Sequence, residues 1–294
     1  MKSYELYSYN GLEKNEFWRT LIGFFLFVII SFFLYSGGFF LLSKLEHVTS
    51  LKHQKLTILL LLASFIIWHI ALFLVIIFIH RRSYSSLIGI VGKINGRHFI
   101  QAFLVTMLVS LFALTTIPFE SLFFEEKFLP DVKIVKVKLW VPWIIPAIIV
   151  IFIQIFAEEL VFRGYLLQQF VTRFKSFWIW AFIPSLLFGL GHFDFQSFGY
   201  NTYFYMINAM IFGILASILT VKSKNLSYAL GMHFFNNVMG VLFFGLGDPL
   251  SGLALINYYF DKTGIYMTYI IISQSILHMI TFLILYYLIK KQKN

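Results

Sequence analysis

Eight long apolar runs constrain this chain more than any other feature of its sequence. Each contains about 20 residues, and an α-helix of that length crosses the hydrocarbon core of a bilayer, which is about 30 Å thick. Helices satisfy their own backbone hydrogen bonds in lipid. We therefore predict an all-α, polytopic integral membrane protein with spans at 20–43, 57–80, 99–122, 141–170, 177–193, 203–221, 226–247 and 264–289.

The composition agrees with this prediction. Hydrophobic residues make up 60% of the 294 residues and charged residues only 12%, whereas soluble proteins carry about 25% charged residues. A soluble domain this apolar would expose large apolar patches, which a bilayer covers. No repeat or linker divides the chain, so we expect one membrane domain over 1–294. We expect no cleavable signal peptide, because the first apolar run is too long for a signal h-region.

The net charge of +10 and the absence of cysteine exclude several function classes. Without cysteine there is no disulfide, no thiolate metal site and no cysteine nucleophile. The basic residues come with no basic face or RNA-binding motif, so we expect no nucleic-acid partner. Basic residues of membrane proteins gather in cytoplasmic loops, where they meet anionic lipids. Membrane lipids are therefore expected partners.

The distribution of these basic residues predicts the orientation. With eight spans both termini share one side, and that side carries 14 basic residues against 8 on the other. Both termini are therefore predicted to be cytoplasmic. Segment 81–98 mixes apolar and basic residues and is expected to lie flat on that surface. The 14 are Lys2, Lys14, Arg19, Arg81, Arg82, Lys93, Arg97, Arg173, Lys175, Lys222, Lys224, Lys290, Lys291 and Lys293, and the 8 are Lys44, Lys52, Lys55, Lys127, Lys133, Lys136, Lys138 and Lys262.

Three ionisable residues within the fourth span are the most informative polar residues. An ionisable side chain at the bilayer centre costs about 2.5–3.5 kcal/mol on insertion scales, so its presence indicates a function. Glu159 and Arg163 are four residues apart, which places acid and base on one helical face, where they can neutralise each other. Glu158 is rotated by about 100° from Glu159 and is left without that arginine. A carboxylate in this position is a candidate general base.

Two further polar clusters lie on other spans. The fifth span ends in LLFGLGHFDF, which contains His192, and the seventh contains LGMHFFNNVMG, in which His233 and Asn237 share a helical face. Histidine donates or accepts protons near neutral pH, and asparagine can donate a hydrogen bond to a developing oxyanion. Polar side chains that join helices, or an ion or proton pathway, would give a similar pattern.

Together these residues resemble the CAAX protease and bacteriocin-processing family, also called the Abi family. The motifs of that family are EExxxR, FxxxH and HxxxN. The resemblance covers about residues 140–245, which we take as the catalytic core. The motifs stand here, in family order on three spans, as Glu158-Glu159-Leu-Val-Phe-Arg163, Phe188-Gly-Leu-Gly-His192 and His233-Phe-Phe-Asn-Asn237.

The resemblance implies hydrolysis of a peptide bond within the membrane, in a cavity open to the cytoplasm. By motif position, Glu158 would activate water with the help of His192. His233 and Asn237 would form the oxyanion hole, and the glutamate–arginine pair would hold the fourth helix in shape. The family includes proteases of prenylated C-terminal tails and bacterial members linked to peptide processing. We expect a membrane-associated peptide or protein substrate, and the composition favours a bacterial peptide or leader.

No cofactor is expected. Glu158 and the two histidines could in principle bind zinc, which accepts histidine and carboxylate ligands. The HExxH arrangement, which places two ligands on one helical turn, is absent. We therefore favour metal-free catalysis.

Other functions make different predictions. A non-catalytic scaffold or bacteriocin self-immunity protein of the same family would tolerate a change of Glu158. A small-molecule transporter would show discontinuous helices and a paired repeat, and neither pattern is found. Gly245-Leu-Gly247-Asp248 spells the GxGD of presenilin-like aspartyl proteases. The partner aspartate in an earlier span is lacking, since Asp194 lies in a loop, and a helix-terminating turn explains the four residues.

The remaining polar residues of the spans receive structural interpretations. Gln154, one turn before Glu158, is expected to line the same cavity, and Asn236 is a weaker candidate donor than Asn237. Gly189 and Gly191 are expected to allow close helix approach. Packing or interfacial positions are predicted for His69, His80, Gln274 and His278.

Overall fold

The computed structural model describes residues 16–43, 54–115, 117–247 and 251–292. Helices dominate these residues, and the predicted all-α class is confirmed. The α-helices are α1 (Phe17–Ser43), α2 (Gln54–Ala63), α3 (Ile66–Leu74), α4 (Gly96–Leu114), α5 (Val137–Trp140), α6 (Ile144–Glu159), α7 (Leu167–Arg173), α8 (Ile183–Leu190), α9 (Phe195–Phe198), α10 (Asn201–Ser223), α11 (Ser227–Val238) and α12 (Ile265–Lys291).

Segments of π-helix and 3₁₀-helix accompany these α-helices. A π-helix, which carries an i→i+5 hydrogen-bond pattern, is often found at functional sites. The π-helical segments are Val75–Ile79 after α3, Leu160–Leu166 between α6 and α7, Trp178–Phe182 before α8 and Met239–Phe243 after α11. The 3₁₀ segments are Tyr84–Leu87, Ile117–Leu122, Glu126–Phe128 and Val141–Trp143.

Among the described residues, six helical segments are long and apolar enough to cross a bilayer, so the chain is a multi-pass membrane protein and the predicted count of eight is not confirmed. The predicted fifth and seventh spans form shorter helices, Trp178–Leu190 and α11. Most residues of α11 are buried, and it packs against α4, α6 and α10. Since protein surrounds α11, bilayer thickness does not set its length. The six are Phe17–Gly38, Lys55–Ile79, Gly96–Leu114, Val137–Arg173, Asn201–Ser223 and Ile265–Lys291.

Hydrogen bonds between helices define one end of the bundle, which we call the near end. Arg19 Nη1 donates to the carbonyl of Ile79 at 3.0 Å, where α1 begins and the π-turn after α3 ends. Gln292 Nε2 donates to Gln101 Oε1 at 3.4 Å, where α12 ends and α4 begins. The first and last described helices therefore have their outer ends on the same side of the bundle.

Segment 81–98 closes the near end. It was expected to lie flat on the surface, but the Leu87 side chain is fully buried within the bundle. Gly164 lies against this segment, and a Cβ there would come within 2.9 Å of the Leu87 carbonyl oxygen. Gly89 forms an isolated β-bridge with Asn225. The segment is therefore partly inserted between the helices.

The opposite end, which we call the far end, carries a three-stranded sheet that was not predicted. Its strands are β1 (Asp131–Ile134), β2 (Phe244–Gly245) and β3 (Ile256–Tyr259), in the order β1-β3-β2. β1 is antiparallel to β3, and β2 is parallel to it. The helix of the seventh apolar run thus ends at Phe243.

The GxGD match lies at this helix end. Gly245 lies in β2 and pairs with Asn257 of β3. Gly247 has a φ of 66°, a left-handed conformation that glycine adopts without strain. Asp194 accepts a hydrogen bond from the Ser197 backbone N–H at 3.0 Å and caps α9. Asp248 lies outside the described residues. The turn agrees with the helix-terminating interpretation of this segment.

Small residues set the closest helix contacts. A Cβ on Gly189 would come within 2.7 Å of the Met206 carbonyl oxygen, so Gly189 allows the expected close approach of α8 and α10. Gly191 meets only atoms of its own helix end. Where α11 crosses α4, a Cβ on Gly231 would collide with the Phe99 carbonyl oxygen and lie 2.8 Å from the Ala102 Cβ.

We expect Gly231→Ala to destabilise the protein. The added methyl group meets backbone of α4, which cannot move away by changing a rotamer, and overpacking of this kind costs about 1–3 kcal/mol. Thermal unfolding of the purified protein in detergent measures the effect. The matched control is Gly96→Ala, because no atom lies within 4 Å of that Cβ position. Equal melting temperatures for the two variants would contradict the α4–α11 contact.

Candidate active site

The polar residues of the fourth span lie in the interior of the bundle. Glu159 is the last residue of α6, and Arg163 lies in the π-helical segment that follows. Glu158, Glu159 and Arg163 are exposed by only 8%, 0% and 1%. Arg163 Nη1 donates to Glu159 Oε1 at 3.1 Å. The ion pair expected from the four-residue spacing is therefore present.

Aromatic rings surround the guanidinium of Arg163. Its Cζ lies 4.4 Å from the ring centroid of Phe188 and 5.6 Å from that of Phe212. A cation over an aromatic face is attracted by the ring quadrupole, and the attraction is larger where water is excluded. These two rings therefore compensate part of the cost of burying Arg163.

His233 joins the two glutamates. Its Nδ1 lies 2.8 Å from Glu159 Oε1, and its Nε2 lies 3.5 Å from Glu158 Oε2. An ionised carboxylate can only accept a hydrogen bond. His233 Nδ1 therefore carries a hydrogen and donates the hydrogen bond to Glu159 Oε1. The ring packs at steep angles against Phe188 and Phe212. The orientation of the imidazole is thus fixed, with Nε2 turned toward Glu158.

Gln154 connects Glu158 to Asn237. Gln154 Nε2 donates to Glu158 Oε1 at 2.6 Å, and Asn237 Nδ2 donates to Gln154 Oε1 at 2.7 Å. Because the carboxylate can only accept, this orientation of the Gln154 amide is the one that satisfies both contacts. Glu158 Oε2 is left without a hydrogen-bond partner among the described residues. Gln154, expected only to line the cavity, contacts the candidate base directly.

His192 lies apart from the carboxylates. It follows α8, and its Nδ1 donates to the Phe188 carbonyl at 2.8 Å. In a neutral ring the other nitrogen, Nε2, is then an acceptor. In the described part of the chain, the ion pairs of Glu158 and Glu159 involve His233 and Arg163 and not His192. The structure therefore groups Glu158 with His233, whereas the motif positions paired it with His192.

A cavity of about 80 Å³ lies beside these residues, between α8, α10, α11 and α12. It has room for a few water molecules but not for a peptide segment. Its walls include His278, which was predicted to be a packing residue and whose ring lies 5.3 Å from that of Phe212. The polar or aromatic side chains that line the cavity are His192, Tyr205, Asn208, His233, Asn236, Asn237, Gln274 and His278.

The cavity faces the far end of the bundle. On its near side the helices are tightly packed, and Leu226 and Tyr228 are fully buried. Among its lining residues Gln274, in the first half of α12, is exposed, and His192, just after α8, is half-buried. The cavity and the near-end residues 16–19 and 292 thus lie toward opposite ends of the bundle. The cytoplasmic location of the termini and the opening of the cavity to the cytoplasm, both expected from the sequence, stay predictions.

Some site residues gave no sequence signal. Phe212 and Tyr205 contact His233 and His192, but single aromatic residues stand out little in a chain with 37 Phe and 16 Tyr. Among the residues that the structure describes, no three His, Asp or Glu side chains are placed to hold a metal ion. His233 Nδ1 instead bonds to Glu159, and its Nε2 lies 3.5 Å from Glu158 Oε2.

We expect Arg163→Met to destabilise the protein strongly. The substitution leaves the buried Glu159 without its cation, and breaking a buried pair in this way costs about 3–5 kcal/mol. The double variant Glu159→Gln/Arg163→Met should recover part of the lost stability, because both positions of the pair then carry neutral side chains. Thermal unfolding in detergent measures each variant.

The matched control is Lys127→Met, which removes one partner of the exposed pair between Lys127 Nζ and Glu125 Oε2 at 2.7 Å. Exposed pairs contribute about 0–1 kcal/mol. A loss for Arg163→Met no larger than for Lys127→Met would contradict the importance of the buried pair.

Comparison with known proteins agrees with these motifs. Residues 140–239 match the family model described as type II CAAX prenyl endopeptidase Rce1-like. The uncharacterized protein YyaK of Bacillus subtilis (strain 168) is 33% identical over 102 residues, 34% of each chain. An uncharacterized 24.3 kDa protein of Escherichia coli is 24% identical over 183 residues, 59% of this chain and 77% of that protein.

This chain thus spans about one third of YyaK and about three quarters of the E. coli protein. No solved structure matches it. The matched segment contains all three motifs and the residues of the buried cluster. Residues 140–239 are therefore Rce1-like, which confirms the resemblance to the CAAX protease family that the three motifs predicted.

Proposed function

We propose that this chain is an intramembrane endopeptidase that hydrolyses a peptide bond of a membrane-associated peptide or protein with water activated by Glu158. Its catalytic core is residues 140–245 of a single membrane domain. The observation that carries the proposal is the state of Glu158: one oxygen is held by Gln154, and the other is buried, without a hydrogen bond, beside His233. A general base needs a carboxylate oxygen that can accept a proton from a nearby water molecule.

The charges of the cluster support this role. With both glutamates ionised and with His233 and Arg163 positively charged, the net charge of the four groups is zero, which limits the cost of burial. Glu158 can then take a proton from water while the hydroxyl group adds to the carbonyl carbon. The negative charge moves to the carbonyl oxygen, where the His233 imidazolium balances it. Glu158 finally returns the proton to the leaving amine as the C–N bond breaks.

Two donors on the cavity wall suit that carbonyl oxygen. His233 Nε2 and Asn237 Nδ2 both belong to α11 and lie on one helical face, four residues apart. In the structure these two groups contact Glu158 and Gln154. When an oxyanion forms, His233 and Asn237 would give up these contacts and donate hydrogen bonds to the oxyanion instead. Hydrogen bonds to a developing negative charge are worth about 2.7–4 kcal/mol each in other hydrolases.

We also propose that the near end lies in the cytoplasm. The described near-end segments carry 11 of the basic residues used for the orientation, and the far-end segments carry 6. The positive-inside rule then places the near end in the cytoplasm, so the cavity receives its substrate from the opposite side of the membrane. The basic residues that lie outside the described residues are Lys2, Lys14, Lys44, Lys52 and Lys293.

Glu158→Gln should abolish hydrolysis. The amide keeps the size of the side chain but cannot accept a proton from water, and general-base catalysis contributes about 10²–10⁴-fold. The measurement is turnover of a pool of internally quenched peptides by the purified protein. The matched control is Glu126→Gln, an exposed far-end glutamate, which should retain full turnover.

Equal turnover by the two variants would contradict the role of Glu158. Absence of turnover by the wild-type protein on the whole pool would favour the non-catalytic scaffold. A chelator series on the same assay tests metal-free catalysis, and inhibition that zinc reverses would contradict it.

Labelling of single cysteines tests the orientation, because the chain has no cysteine of its own. Gln196→Cys lies exposed in the short far-end helix α9, and Ser176→Cys lies exposed in the near-end loop after α7. A membrane-impermeant maleimide should label the first variant in intact cells and the second only after permeabilisation. The reverse pattern would place the cavity on the cytoplasmic side.

A further inference from the structure

A second cavity lies at the far end, between the sheet, the end of α4 and the start of α12. Its volume is about 370 Å³. This is more than four times the volume of the cavity lined by His192 and His233, which we call the catalytic cavity. Most of its lining is apolar and includes Leu129, Val132 and Phe244. We call it the sheet pocket. Its size and lining suit a long side chain rather than water.

One carboxylate, that of Glu120, lies in this apolar lining. Tyr266, which is 6% exposed, donates its hydroxyl hydrogen to Glu120 Oε2 at 2.6 Å. None of the ion pairs found among the described residues includes Glu120. Burial raises the pKa of the Tyr258 hydroxyl on the pocket wall, and the negative charge of Glu120 adds to that effect. Glu120 therefore has no cationic partner among the described residues.

The sheet pocket and the catalytic cavity share the same helix face. Tyr266 and Ile270 line the pocket, and Gln274 and His278 line the catalytic cavity. These residues follow one another at intervals of four along α12, so they form one stripe that rises about 6 Å per step. The two cavities therefore lie one after the other along α12.

The opposite wall gives the separation. Asn237 lies on the catalytic cavity, and Phe244, seven residues later, lines the sheet pocket. Between them the chain completes α11, passes through the π-helical segment Met239–Phe243 and enters β2, an advance of about 10 Å. An extended peptide advances about 3.3 Å per residue, so about three residues cover this distance.

We propose that the sheet pocket is a specificity pocket of the peptidase and binds a Lys or Arg side chain about three residues from the scissile bond of the substrate, an assignment that rests on the proposed function. The aliphatic stem packs on the apolar lining, and the charged end pairs with Glu120. Long basic side chains combine these two properties, with an apolar stem and a charged tip. A charge-assisted hydrogen bond to a carboxylate is stronger than one between neutral groups.

Binding to the Glu158→Gln variant tests the pocket without cleavage. Fluorescent decapeptide pools carry Lys, norleucine or Glu at one fixed position and Ala, Leu, Ser or Thr elsewhere. Fluorescence anisotropy with the variant in lipid nanodiscs gives the affinity of each pool. We expect the Lys pool to bind at least about 10-fold more tightly than the Glu pool, with norleucine between them, since one charge-assisted hydrogen bond contributes about 1.5–3 kcal/mol.

Substitutions at the pocket sharpen the test. Added to Glu158→Gln, Glu120→Gln should remove the preference for Lys over norleucine, and Glu120→Lys should reverse the order of the Lys and Glu pools. Glu126→Gln, which changes an exposed glutamate near the pocket, is the matched control and should leave the order unchanged. Leu129→Trp fills the pocket and should weaken binding of the Lys and norleucine pools alike.

Equal affinity for the three pools, or a Lys preference that survives Glu120→Gln, would overturn the proposal. With the wild-type protein, mass spectrometry of cleaved Lys peptides should place the cut about three residues from Lys, and cuts at random distances would also overturn it. Lys-selective binding without any cleavage would instead contradict the proposed hydrolysis and leave the pocket assignment intact.

Discussion

Neutralisation of Glu159 by Arg163 is the interaction on which the rest of the site depends. Both side chains are almost completely removed from solvent, where an unpaired charge costs several kcal/mol. Once Glu159 is held as an anion, it accepts the hydrogen bond of His233 Nδ1 and fixes the imidazole. The other ring nitrogen then faces Glu158. An ion pair within one helix thus sets the orientation of a catalytic candidate on another.

The helix that carries His233 and Asn237, α11, is short, and protein rather than lipid surrounds it. α11 crosses α4 at Gly231 and brings His233 and Asn237 to the glutamates of the fourth span. Its helical segment ends at Phe243, and the chain continues into β2. Beyond this helix end the chain forms the sheet that lines the second cavity.

Local features of the site could be predicted because helix geometry relates residues four apart. The contact between Glu159 and Arg163 followed from spacing alone, as did the shared face of His233 and Asn237. Which helix faces which could not be predicted in this way. The contact of His233 with Glu159 joins residues that are 74 positions apart, and the Gln154–Asn237 contact joins residues 83 apart. The sheet escaped prediction for the same reason, since β1 pairs with β3 more than 120 residues later.

The sequence by itself determined that this chain is a helical membrane protein with an Rce1-like segment, because lipid admits only helices for long apolar runs and because three motifs survive as short local patterns. It also determined the balance of basic charge between the two sides. Only the tertiary structure decided that Glu158 meets His233 rather than His192, and that a cavity lies between α8, α10, α11 and α12. These outcomes depend on how helices pack against one another, and no local spacing specifies that packing.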